Sequence, residues 1–394
     1  MNLRLEETSA EPKLFGLDHL RALAIILVFF FHYRNAFQHP IWIETVASFG
    51  WTGVDLFFVL SGYLIAGQLF NRVHHDKKIS LKEFYIKRFF RIIPIYLLIV
   101  AVYFSLPSVR EKEALPPLWK FLTFTQNFGM NAKDYGTFSH AWSLCVEEQF
   151  YLLLPFTMLL FLHFNAGRKA FYLVIFLFIL GFITRALSWP ASTVSNFRLE
   201  FYKWVYYPTY NRLDGLLVGI SIAGLFQFYP KLRNYVSKFG NLFFFLGFAI
   251  LTAAYFMCAD IFTFNASVFG FPLIAIGFGC LVISTVLPSG FLYKHKSAIT
   301  INLAALSYAI YLSHKMVIHL VQVHAGNLGI NPTGTIMLLL CMFFSWLVAL
   351  ALRYAIEKPF LQLRKAILKK NRLQVNSPIS RIPQVAPVVN RKEQ

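Results

Sequence analysis

The chain has 394 residues, of which 57% are hydrophobic and only 14% charged, with a mean hydropathy of +0.56. So little charge cannot cover a soluble core, which excludes an ordinary water-soluble enzyme. The net charge of +19 does not indicate nucleic-acid binding, because the basic residues flank apolar runs and fill the C-terminus instead of forming a patch on a soluble domain.

A bilayer-crossing helix needs about 20 mainly apolar residues. On that rule the fold is expected to be all-α, a polytopic integral membrane helical bundle of about ten spans. They fall roughly at 17–37, 48–70, 89–106, 143–164, 170–188, 209–228, 241–258, 265–287, 302–324 and 334–356. The first is not read as a cleaved signal peptide. It carries Arg21, His32 and bulky aromatics, and no small-residue cleavage site follows. With the N-terminus inside, the inward-facing arm, loops and tail hold 26 of the 37 Lys and Arg residues, so both termini are expected on the cytoplasmic side. The expected plan is a cytoplasmic arm (1–16), a transmembrane unit (17–360) and a basic cytoplasmic tail (361–394) that is disordered. Cys145, Cys258, Cys280 and Cys341 lie in or beside apolar runs, which suggests neither a disulfide framework nor a metal site.

Ionisable residues inside a membrane are costly and face the bundle interior or a watery cavity. In the first span, Arg21 and His32 are eleven residues apart, which places them on one helix face about three turns and roughly 16 Å apart. That stripe is either functional, or a snorkelling arginine with a hydrogen-bonded core histidine. In the second span, Asp55 is placed either to orient His32 or to cap the helix, while Ser61-Gly62 reads as close helix packing. Lys87, Arg88 and Arg91 stand at the inner mouth of the third span. Arg88 and Arg91 share a face there and suit bidentate phosphate binding, although a positive-inside flank has the same composition.

The outward connections 107–142 and 189–208 are rich in Pro, Trp and Tyr. They read equally as a rim over an outward-opening site or as interfacial anchors. The run His140-Ala141-Trp142-Ser143-Leu144-Cys145-Val146-Glu147-Glu148 enters the fourth span with two adjacent carboxyls. These suit acid–base or hydrogen-bonding work, or else the N-terminal helix dipole. Arg212 and Asp214 open the sixth span, and the ninth carries Ser307, Tyr308, Tyr311, His314 and Lys315.

Taken in order, these segments resemble membrane-bound acyltransferase family 3, whose members O-acylate carbohydrates and other molecules. The spacing Arg21 to His32 is similar to the family's R-x10-H, and Arg88 to Arg91 to its R-x-x-R. The segment ending Ser61-Gly62, the Trp142-Ser143-Leu144 element with Glu147, the Arg212-Leu213-Asp214-Gly215 element and the Ser307-Tyr308 to His314 run also match. The departures are Cys145 inside the fourth-span element and the lack of a soluble domain after the tenth span, which would leave the whole reaction to the membrane unit.

The resemblance implies an acyl-CoA donor, usually acetyl-CoA, and no metal. It implies an acceptor on the far side, such as a lipid-linked glycan, lipopolysaccharide O-antigen or exopolysaccharide, and residence in a bacterial cytoplasmic (inner) membrane. On this reading His32 is base or acyl carrier, Arg21 lines the donor channel, and Glu147 or Asp55 orients His32 or the acceptor. Lys87, Arg88 and Arg91 hold the donor's phosphates, while Trp142, Ser143, Arg212, Asp214, Tyr311 and His314 contact substrate. Alternatives are a succinyl or longer acyl group, a macrolide-type small-molecule acceptor, or a glycolipid transporter. Oligomeric state is not legible.

Overall fold

The computed structural model describes residues 14–75, 79–112, 114–131, 133–190 and 195–375. Among these the chain is helical, with no strand, as the span pattern predicts. The long helices are α1 (Phe15–Ala36), α2 (Gly53–His74), α3 (Leu81–Ser105), α4 (Trp142–His163), α5 (Ala170–Leu187), α6 (Asp214–Phe228), α7 (Gly240–Met257), α8 (Phe271–Val286), α9 (Ala298–Asn327), α10 (Thr335–Leu352) and α11 (Lys358–Val375). Nine helical segments among the described residues are long and apolar enough to cross a membrane.

The sixth expected span falls short. Pro208 precedes a separate tight turn at Thr209–Asn211, so α6 begins only at Asp214 and runs 15 residues, about 22 Å against a hydrocarbon core of about 30 Å. The third helix begins earlier than the apolar run suggests. The Ser80 side chain caps it by accepting from the Glu83 backbone N–H at 3.2 Å, which brings Lys87 and Arg88 into the same helix as Arg91.

Helices α2, α8 and α9 are mostly buried, whereas α5 and α7 present most of their side chains outward. The α2–α6 crossing is the tightest contact, and it depends on glycine. A Cβ on Gly62 would lie 2.2 Å from the Leu216 carbonyl oxygen, and one on Gly219 would lie 2.3 Å from that of Val59. Gly62 therefore packs as expected. Its neighbour Ser61 does not, since its hydroxyl donates to Glu147.

The tail departs from expectation at its start. Residues 358–375 form α11, which packs on α3, because Leu, Lys, Arg, Gln and Ala favour helix and their apolar members recur at helical spacing. The remainder of the expected disordered tail, 376–394, and most of the expected N-terminal arm, 1–13, lie outside the described residues.

The connections 107–142 and 189–208 are joined to each other and to the bundle. Asn127 donates to the Tyr207 carbonyl at 3.2 Å and to Thr209 at 2.9 Å, and Gln149 donates to the Phe124 carbonyl at 2.7 Å. Tyr103, Phe121 and Phe138 stack beneath them. The stretch 107–142 is thus partly a packed roof, although Trp119 remains 57% exposed as an interfacial anchor would.

Candidate active site

A cavity of about 500 Å³ opens among α1, α2, α3, α4, α9 and α11. At one end it is lined by five basic side chains, Arg21, Lys87, Arg88, Arg91 and Arg364; at the other by Ser143 and Tyr311, with Glu147 on its wall. Helix geometry accounts for the grouping. The N-terminal turns of α1 and α3 and the helix after the last span all lie at the same end of the bundle.

The basic end is only partly neutralised. Arg21 pairs with Asp18 at 3.5 Å, and Lys87 with Glu83 at 2.7 Å. Arg88 donates to Gln68 at 2.9 Å and its guanidinium lies 5.6 Å from the Tyr151 ring centroid. Its Nε has no partner among the described residues. A buried unpaired donor beside other guanidiniums suits a ligand rich in phosphate oxygens.

Glu147 does not orient His32. It accepts from Ser61 at 3.1 Å and from Tyr151 at 2.9 Å, which fixes the carboxyl on the cavity wall. Nor does Asp55 reach His32. It accepts from Arg212 at 2.9 Å, both side chains being buried. Arg212 is further enclosed by the rings of Phe271 at 4.1 Å, Tyr206 at 4.7 Å and Trp142 at 5.3 Å. Asp214 is held by Arg185 through contacts of 2.6 and 3.3 Å.

Arg212, Asp214 and Trp142, placed by the sequence among substrate ligands, therefore belong to a sealed framework of ion pairs and aromatic rings. Truncating Asp55 to alanine leaves Arg212 as an uncompensated buried charge, a loss of about 3–5 kcal/mol. The thermal-unfolding midpoint of the detergent-solubilised Asp55→Ala protein should fall clearly. An unchanged midpoint with lost activity would return the pair to a functional role.

The partner of His32 is another histidine. His32 Nδ1 lies 3.0 Å from His314 Nε2, and the ring of His140 sits 5.5 Å from His32 and 5.0 Å from His314, centroid to centroid. His140 and His314 are buried, and His32 is partly exposed. The described cavity lining does not include His32. Between the cavity and the histidines stand Tyr311, which donates to the His140 carbonyl, and Ser143, 2.5 Å from the Tyr311 oxygen. Because the Tyr311 proton goes to the carbonyl, Ser143 donates to Tyr311.

Behind the histidines, Lys315 pairs with Glu111 at 2.8 Å and pins the roof to α9. Burial pushes the Glu111 carboxyl up, but the Lys315 ammonium outweighs this and holds it below the ordinary carboxylate range. No group of three or more metal-ligating side chains is found among the described residues.

Several of these participants were not singled out from the sequence. Arg364 falls in the stretch expected to be disordered, where the helical recurrence of apolar residues after Pro359 was the available signal. His140 stands in the run that carries Glu147. Tyr151 and Glu111 carry no local signal and become visible only when the helices assemble, and Ser61, expected to pack beside Gly62, shows its bond to Glu147 only then.

The fold and cavity define a multi-pass membrane protein with a cationic pocket leading toward a histidine cluster. The family model described as an acyltransferase domain, acyltransferase 3, matches residues 14–353, and the chain belongs to that family. It is 29% identical over 333 residues to O-acetyltransferase OatA of Staphylococcus aureus (strain NCTC 8325 / PS 47), covering 80% of this chain and 52% of the relative. It is 28% identical over 334 residues to Putative O-acetyltransferase SACOL0978 of Staphylococcus aureus (strain COL), covering 78% of this chain and 51% of the relative. The chain thus spans about half the length of these curated relatives. No solved structure matches it.

Proposed function

We propose that the protein is a membrane O-acyltransferase that moves an acyl group, acetyl in the first instance, from acyl-CoA to a hydroxyl of an extracytoplasmic carbohydrate such as a lipid-linked glycan, O-antigen or exopolysaccharide. The observation that carries this reading is the single cavity with Arg21, Arg88, Arg91 and Arg364 at one end and Ser143 and Tyr311, in contact with the histidine cluster, at the other. The charge bias of the connections supports an N-in, C-in arrangement in a bacterial cytoplasmic membrane, with the basic mouth facing the cytoplasm. The names of the relatives support acetyl as the group transferred.

On this reading the guanidiniums hold the donor's phosphates, and a thioester carbonyl is carried inward along the wall bearing Glu147. His32 takes the proton of the acceptor hydroxyl as the new C–O bond forms. The C–S bond then breaks, and the departing thiolate receives that proton. Tyr311 and Ser143 satisfy each other at the junction and exclude water from it. Trp142, Arg212 and Asp214 support the wall and do not touch substrate.

The test is direct. Purified protein in liposomes, given labelled acetyl-CoA and a glycan acceptor, should release free CoA and label the glycan. Movement of the acceptor across the bilayer without thioester consumption would instead identify a transporter.

A further inference from the structure

The hydrogen bonds around His314 determine where the protons of the neighbouring histidine sit. His314 Nδ1 lies 2.9 Å from the carbonyl oxygen of Ile310 and 2.9 Å from that of Tyr311. Both oxygens only accept, so Nδ1 carries a hydrogen. The ring is fully buried, and no carboxylate contacts either of its nitrogens among the described residues. An isolated charge there would be strongly disfavoured, so the ring is neutral and has a single N–H. Its Nε2 is then a bare acceptor, and the only group within hydrogen-bonding distance of it among the described residues is His32 Nδ1, at 3.0 Å.

We infer that His314 is a positioning residue that fixes His32 in the tautomer with hydrogen on Nδ1, leaving His32 Nε2 as the nitrogen that accepts the acceptor hydroxyl's proton. This corrects the sequence-based placing of His314 among substrate ligands, and it rests on the reading of His32 as the base. The chain of donors runs one way: His32 Nδ1–H to His314 Nε2, then His314 Nδ1–H to the α9 backbone. The backbone sets the direction. A carbonyl oxygen can only accept, so the two oxygens at one turn of α9 act through His314 on the protonation pattern of His32 on α1, which lies 282 residues from His314 in sequence.

The arrangement also suits the charged form. When His32 Nε2 takes a proton, the imidazolium keeps its Nδ1–H on His314 Nε2, and that bond becomes charge-assisted and stronger. The same geometry therefore selects the resting tautomer and stabilises the cation formed during proton transfer. Among the three clustered rings, only His32 is partly exposed, as a group meeting substrate requires.

The inference is tested by two readouts on the full-length protein in liposomes. The first is nitrogen-15 solid-state NMR of histidine-labelled protein, with the His32 signals assigned by their loss in His32→Asn. The wild-type ring should show a protonated Nδ1 and a bare Nε2. His314→Gln, whose amide oxygen can still accept, should keep that pattern. His314→Leu should give a mixture of tautomers.

The second readout is acyl transfer. His314→Leu should lower kcat about 10–100-fold with KM for acetyl-CoA unchanged, and His314→Gln should recover most of that loss. A wild-type His32 protonated at Nε2 overturns the inference, and so does a His314→Leu protein with wild-type tautomer and kcat. If His314→Leu does not fold, the wild-type spectrum and the glutamine variant still decide the matter. Absence of any transfer by the wild-type protein would refute the proposed function, while the tautomer would still be read from the spectrum.

Discussion

His32→Ala should lower acyl transfer about 10²–10⁴-fold, the range contributed by a positioned general base, with normal abundance in the membrane and an unchanged KM for the donor. The expectation follows from two features of the ring. It is the accessible member of the histidine cluster, and the contact of its Nδ1 with His314 leaves Nε2 as the nitrogen that can face a substrate. The loss should appear in kcat because the cavity proposed to take the donor does not include this side chain. Removing it should cost little stability, since the surrounding rings remain packed. Full transfer by a normally expressed His32→Ala protein would move the chemistry elsewhere, with Glu147 the next group on the cavity wall.

Replacing Arg88 and Arg91 together by alanine should act on the opposite parameter. Each hydrogen bond to a charged phosphate contributes about 1.5–3 kcal/mol, so the pair should raise KM for acyl-CoA by roughly 10²–10⁴-fold, with kcat at saturation changed much less. Arg88 should dominate, because its side chain is already oriented by Gln68 and stacked near Tyr151 and loses less freedom on binding. The measurement is initial rate against acetyl-CoA concentration, repeated with acetyl-pantetheine, which lacks the nucleotide phosphates. A defect of equal size with both donors would show that the arginines support the fold and not the phosphates.

The helices and the basic mouth were legible in the sequence because both depend on local pattern. Apolar runs of span length need no tertiary information, and Arg88 and Arg91 share a helix face wherever that helix goes. Partners were not legible in the same way. Asp55 was assigned equally to His32 and to a cap, whereas it meets Arg212, a choice made by the glycine-lined approach of α2 to α6. Glu147 looked like the group to orient His32, yet its oxygens are taken by Ser61 and Tyr151. The residue that does meet His32 stands on α9, and no spacing rule links positions so far apart. Arg364 is not legible for a different reason. A basic stretch near proline and asparagine reads as a solvated tail until an adjacent helix offers its apolar side a surface.

The Asp55–Arg212 pair has a consequence for biogenesis. The two residues are 157 positions apart, and at synthesis rates of about 5–20 residues per second the arginine emerges roughly 8–30 s after the aspartate. For that interval α2 carries, in its first turn, a carboxyl whose permanent partner does not yet exist, an ionisable group that is costly to bury alone in the membrane. Arg185 and Asp214, only 29 positions apart, meet almost as they are made. The order of synthesis therefore leaves Asp55 without this partner until Arg212, just before α6, has been made. The interval before docking is the stage at which an inserting chain most needs a sheltering partner at the translocon.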